Sequence, residues 1–294
     1  MYETESEFLQ NYDITKYQQP SLATDIVLLS LQREKPNADI KSINIYGLQV
    51  LLIKRASHPC KDKWALPGGF CIPSESVFET AKRELFEETN IADTYLTLSG
   101  VYSRKGRDPR GWIISNAFLG LIDRYQCNLR ADTDAWEAKW FTIKELSSQT
   151  INESMNSKEW AHTLILTDDE TGEELNAVTT ETMVYHPNGS DSIFGTVQSD
   201  FAFDHAEIIT EALIKYREQI REDIRPVFAL LPETFTLGEL TEAYRNSLGI
   251  ETIMKSNFRR RIEDYVVETD DYADVKGFRP AKLFKRNIVM FMNR

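Results

Sequence analysis

A chain of 294 residues that is 41% hydrophobic and carries 15 Phe, 12 Tyr and 5 Trp has apolar mass for two domains, which excludes wholesale disorder. Its three cysteines exclude a disulfide framework. The formal charge of −12 argues against a nucleic-acid binder, yet residues 207–294 hold 15 basic and 15 acidic side chains, so the negative excess lies upstream and DNA binding by the tail stays open.

In chain order, strands are expected at 25–30 (DIVLLS) and 46–55 (YGLQVLLIKR), separated by a polar loop around Pro36. WALPGGF (64–70) reads as a strand end breaking at Pro67 and two glycines. Residues 74–91 switch to helical period, with Val77, Phe78, Ala81 and Leu85 on one face and Ser74 or Ser76 as cap. Strands follow at 94–103 and 111–122 around the charged loop RKGRDPRG, then at 135–143, with a short helix near Lys144-Glu145-Leu146. Residues 150–204 read as a hairpin around Asp168–Gly172 and a second turn at Asn188-Gly189, an elaboration of the first domain. A helix spans 206–222. Beyond it come a short helix ending near Pro232, a helix over 236–249 capped by Thr236 and stopped by Gly249, a basic helix near 253–263, and two strands (VVETDD and PAKLFKR). That order predicts a winged helix-turn-helix. The expected division is 1–205, a linker helix at 206–224, and 225–294. The amino terminus has no signal-peptide pattern, and no apolar run nears the roughly 18 residues of a membrane helix, so a cytoplasmic protein without a membrane partner is expected.

The chemistry concentrates at 68–91. Glu84, Glu87 and Glu88 stand at i, i+3 and i+4, on one helix face, where like charges destabilise by about 0.2–0.5 kcal/mol per pair. A solvated acidic face is the bland account. A hard cation, Mg²⁺ or Mn²⁺, is the functional one, because such ions take carboxylate oxygens. Gly68 and Gly69 allow close backbone approach, and the Gly68 carbonyl is a candidate to complete the metal shell or touch a phosphate. Phe70 is a candidate to stack on a base, with core packing as the alternative. The longer pattern resembles the Nudix box, G-x5-E-x7-R-E-U-x-E-E-x-G-U, where U is a bulky aliphatic residue. Gly69, Glu75, Arg83, Glu84, Leu85, Glu87, Glu88 and Ile91 fit it, and Asn90 stands where the family has glycine. Asn tolerates a left-handed helix end, so the turn should survive.

The resemblance implies an α/β/α sandwich with a mixed sheet, metal ligation by Glu84, Glu87 and Glu88, and a structural ion pair between Glu75 and Arg83. It also implies attack of water on the diphosphate of a nucleoside-diphosphate derivative, with Glu88 or a loop carboxylate taking the proton. SRKGRDPRGWIISNAFLGLI (103–122) resembles the corresponding stretch of ADP-ribose pyrophosphatases. Arg107 and Arg110 there offer forked donors for phosphate or a ribose-bearing substrate, against a plain charged turn cornered at Asp108-Pro109. Arg55 is a further substrate-facing candidate. Trp64 and Trp112 are expected to be structural. His205 is read as a cap or interdomain hydrogen bond, and His58, His162 and His186 form no metal-spaced set, so zinc is not implied.

In the tail, Lys255, Asn257, Arg259, Arg260 and Arg261 are candidates for DNA contact, with Phe258 and Ile262 docked on the preceding helix. The wing offers Lys276, Arg279, Lys282, Lys285 and Arg286. A winged helix used only for protein packing or dimerisation is the alternative. From about 22 to 290 the chain resembles the Nudix-related transcriptional regulators of bacterial NAD and sugar metabolism, apart from a longer 150–200. That resemblance implies sensing of ADP-ribose or a related nucleotide or sugar, and operator binding as a homodimer. The leading expectation is a metal-dependent diphosphate hydrolase fused to a DNA-binding domain; the alternative is a regulator with little or no turnover.

Overall fold

The apolar run from Ile26 to Leu31 is buried on both faces, as in a central strand covered by helices on either side. The computed structural model describes residues 4–33, 45–92, 94–126, 135–273 and 280–292. Pro36, Cys127, Lys276 and Arg279 lie outside the described residues. The chain opens with α1 (Glu5–Asn11), then β1 (Ser21–Arg33), β2 (Ile45–Arg55), β3 (Trp64–Ala65), β4 (Gly68–Phe70) and α2 (Val77–Thr89). Next come β5 (Leu96–Tyr102), β6 (Ile113–Leu121), β7 (Ala135–Glu153), β8 (Ser157–Thr167), β9 (Glu174–His186), β10 (Gly189–Ser199) and α3 (His205–Glu222). A 3₁₀ segment (Arg225–Leu230) leads to β11 (Thr234–Thr236), α4 (Leu237–Leu248), α5 (Lys255–Ile262), β12 (Val266–Ala273), β13 (Ala281–Arg286) and α6 (Ile288–Met292).

The first sheet runs β10-β9-β8-β7-β2-β1-β6-β5, with β3 on β2 and β4 on β1. It is mixed: β1 pairs parallel with β6 and antiparallel with β2. Alternate residues of β1 face opposite layers. Ile26 and Leu28 pack with Ala81 and Leu85 of α2, whereas Val27, Leu29 and Leu31 belong to the core that includes Ile208, Ile209 and Leu213 of α3. This is the sandwich the sequence predicts. The second core also runs without a break into Val227, Phe228, Leu240 and Phe258, so α3 is shared by the sheet and the tail.

Two expectations change. No helix forms at Lys144-Glu145-Leu146: β7 continues through them as one strand of 19 residues, bulged between Ile143 and Glu145. Pairing with the whole of β8 overrides the weak local helix preference. The segment 150–204 is less an added piece than an extension of the sheet, since β8, β9 and β10 continue its hydrogen-bonded order. The tail builds a three-stranded sheet, β11-β13-β12, against α4 and α5, the winged helix-turn-helix order. Thr236 caps α4 in a reciprocal capping box with Glu239, and Gly249 ends it at φ 65°.

Candidate functional site

The loop from β4 into α2 brings the acidic residues together. Ser76, not Ser74, caps α2 through a capping box with Glu79, and Asn90 closes it in the left-handed conformation at φ 58°, the role glycine would play. With Ala81 and Leu85 buried, the opposite face carries the glutamates. Arg83 gathers them: its Nε donates to Glu75 Oε1 at 2.9 Å, and its Nη1 reaches Glu84 Oε1 at 2.7 Å and Glu87 Oε2 at 3.0 Å. Its Nη2 donates to the Phe70 carbonyl at 3.3 Å, tying the helix back to β4. At Gly69 an added Cβ would stand 2.3 Å from the Glu84 carboxyl carbon, so any side chain there would push that carboxylate out of its present place. Gly68, paired with Asp25 across β1 and β4, would drive a Cβ to 2.0 Å from the Thr24 carbonyl oxygen.

Gly68 is tied to the acidic face through its N–H, which donates to Glu88 Oε2 at 2.8 Å. Burial pushes the Glu88 carboxyl up to about 8, and the nearby Glu84 and Asp25 charges push the same way. Burial also raises Glu84, against the pull of Arg83. Among the described residues no group of three or more His, Cys, Asp or Glu side chains stands in metal-binding array, and Arg83 pairs with Glu84 and Glu87. The donor set nonetheless suits a hard divalent cation: all oxygen, packed against glycine backbone, with Glu88 buried and held by an amide hydrogen bond rather than a cation.

Beside these carboxylates lies a cavity of about 100 Å³, walled by Asp25, Arg55, Gly68, Phe70, Arg107, Arg110, Phe203 and His205. All three arginines expected to face a substrate line it, and each is already engaged within the protein. Arg107, with its side chain 5% exposed, forks onto Asp204 with two bonds of 2.7 Å. Burial opposes its charge, but Asp204 outweighs burial and raises its pKa. Arg110 forks onto Asp108, and Arg55 donates from Nε to the Pro59 carbonyl at 2.9 Å. Phe70 is 41% exposed at the rim, so it is not core. His205 is buried; its Nδ1 accepts the Leu66 N–H at 2.8 Å and its Nε2 lies 3.5 Å from Asp25 Oδ1. Ser115 donates to the other Asp25 oxygen. Trp64 is buried and donates to Glu173, but Trp112 is 53% exposed, against the structural role expected for it.

Sequence reading missed Asp25, Ser115, Phe203 and Asp204. The available signals were an aspartate opening an apolar strand, and the Phe-Asp that precedes His205 at the start of α3.

In the tail, Phe258 and Ile262 are buried, Phe258 stacking on Tyr244 with centroids 5.1 Å apart, and Lys255, Asn257, Arg259 and Arg260 are exposed. Arg261 is a correction. It turns inward, donating to the Tyr244 hydroxyl at 2.6 Å, to the Ile220 carbonyl at 2.9 Å and to the Arg221 carbonyl. It stands three residues after Phe258 and so shares the docked face. Arg286 also turns inward, onto the carbonyls of Phe228 and Leu231. Lys282 lies 4.6 Å over the Tyr272 ring, and Lys285 is exposed.

With this geometry in hand, the comparisons define the class. The NUDIX domain family model matches residues 40–164, and that of the NrtR DNA-binding winged helix domain matches residues 227–285. The chain belongs to the Nudix superfamily, as a Nudix domain fused to an NrtR-type winged helix. It is 29% identical over 97% of its length, and 89% of the relative, to the ADPR responsive transcriptional repressor NtrR of Acinetobacter baylyi. It is 37% identical to the ADP-ribose pyrophosphatase of Methanocaldococcus jannaschii over 47% of this chain and 73% of that one. A crystal structure of a MutT/nudix family protein from Enterococcus faecalis, 27% identical, superposes with a TM-score of 0.66 over 97% of this chain and 94% of that one.

Proposed function

We propose that this chain is a DNA-binding regulator that reads a nucleoside-diphosphate ligand of the ADP-ribose class through its Nudix pocket, and that the pocket also hydrolyses the diphosphate when Mg²⁺ or Mn²⁺ is bound. One observation carries the regulatory half: α3 begins in the pocket and ends on the basic helix. Its N-cap Asp204 holds Arg107 and its first residue His205 lines the cavity, while its last carbonyls are held by Arg261 of α5. A diphosphate that meets Arg107 where it stands competes with Asp204 for the guanidinium charge, and so acts on the first turn of a helix whose far end carries α5. The likeness to a full-length ADPR responsive repressor supports the same reading.

The hydrolytic half rests on the complete acidic set and on the likeness to an ADP-ribose pyrophosphatase. Glu84, Glu87 and Glu88 would hold the metal, which when bound supplies charge neutralisation and an acidified water. Arg83 keeps these carboxylates gathered through Glu84 and Glu87 and braces the loop through Glu75. Exposed Lys255, Asn257, Arg259 and Arg260 would meet DNA, with Lys282 and, beyond the described residues, Lys276 and Arg279 in the wing. Pairing as a homodimer on a two-fold operator belongs to the same proposal.

The test is incubation with Mn²⁺ or Mg²⁺ and ADP-ribose, NAD and nucleoside-diphosphate sugars, with products resolved by chromatography. AMP and ribose 5-phosphate from ADP-ribose are expected. Glu88→Gln should lower the rate by about 10²–10⁴-fold while ADP-ribose still binds. Binding without products in the wild type would remove the hydrolytic half, and no binding of any nucleotide would remove both.

A further inference from the structure

Four side chains close the mouth of the pocket in an alternation of ring and guanidinium. The Arg110 guanidinium lies 4.9 Å from the centroid of Phe70 and 5.3 Å from that of Phe203, and the Arg55 guanidinium lies 4.8 Å from Phe203. A flat cation on an aromatic face uses the same surface that a nucleobase would use for stacking.

The space is too small as it stands. About 100 Å³ holds roughly three waters, whereas ligand pockets measure about 300–1,000 Å³. A nucleoside diphosphate therefore enters by displacing a side chain. Arg107 is a poor candidate, being 5% exposed and doubly bonded to Asp204. Arg110 is the better one: its side chain is 39% exposed, so it can swing outward into solvent by breaking its fork onto Asp108, which is buried and stays in the wall.

Phe203 is singular in another way. It holds φ 48°, a left-handed conformation that residues with a Cβ rarely adopt, and it lies between β10 and α3, outside residues 40–164. The backbone is bent at the point that delivers this ring to the pocket, and strain of this kind gathers at ligand sites.

We propose that Phe203, with Phe70, is the clamp by which this pocket selects a ligand bearing a planar aromatic base, and that Arg110 fills the place of the base until the ligand enters. This rests on the reading of the pocket as a nucleoside-diphosphate site. Phe203 also packs with Ile53 and Ala65, so a purely structural role is the alternative to be separated.

The experiment is calorimetric titration of the full-length protein, with Mg²⁺, using two probes: non-cleavable α,β-methylene-ADP-ribose and methylenediphosphonate, which has no base. Phe203→Leu should weaken the first by about 5–150-fold, the range of one lost base–aromatic stack, and leave the second unchanged. Phe203→Tyr, which keeps the ring, should restore wild-type affinity. Stacking also dims the adenine absorbance band; this dimming should accompany binding to the wild type and vanish in Phe203→Leu. Equal weakening of both probes, unchanged affinity of both, or bound adenine without dimming in the wild type would overturn the clamp while leaving the pocket a diphosphate site. A wild type that binds neither probe would overturn the underlying reading and the clamp with it.

Discussion

Glu88 shows how a single residue in this site carries opposed demands. Burial pushes its carboxyl up to about 8, above an ordinary value of about 4.3, so the folded chain keeps a proton that the unfolded chain releases. Its contribution to stability is therefore full below about pH 4.3 and lost as pH rises through about 8. In EDTA, Glu88→Gln should unfold at the same temperature as wild type near pH 4 and at a higher temperature near pH 8; equal melting at both would contradict this environment. Mg²⁺, which needs the ionised form, should raise the wild-type midpoint at pH 8 and not that of the variant. The box residues were legible because their roles impose fixed spacings along one short helix. Asp25 and Ser115 were not, because their contact joins residues 90 apart and depends on the parallel pairing of β1 with β6. Nothing local in the sequence announces such a pair.

Among the elements, α5 separates two kinds of arginine within three positions. Arg261 closes the carbonyl end of α3, while Arg259 is exposed. Arg261→Ala should destabilise the fold by about 1–3 kcal/mol, since the Tyr244 hydroxyl and the partly buried end of α3 lose a charged hydrogen-bond donor. Arg259→Ala should leave denaturant unfolding unchanged, weaken duplex binding and reduce the salt dependence by about one unit of slope. Matching losses of stability in the two variants would contradict the assignment of faces. The faces were legible in principle from Phe258 and Ile262, because Arg261 follows Phe258 by three residues. The strand through Lys144-Glu145-Leu146 was not, because its state depends on the length of β8, its partner across the hairpin.

At the scale of the whole molecule, two domain-like parts meet through one helix and one continuous core. Leu29 and Leu52 of the sheet, Ile209 and Leu213 of α3, and Leu240 and Phe258 of the tail belong to the same buried cluster. The winged-helix order was readable from helix caps and strand signals, which are local. The sharing of α3 was not readable, because it depends on Asp204 meeting Arg107 at one end and Arg261 meeting the last carbonyls at the other. The shared helix is the link between pocket and winged helix, and hydrogen–deuterium exchange on the full-length protein, with and without α,β-methylene-ADP-ribose, tests it directly. The predicted result is changed exchange both in the first turn of α3 around His205–Ile208 and in α5 around Arg259–Ile262. Change confined to the pocket, with α5 exchanging as in the free protein, would contradict it.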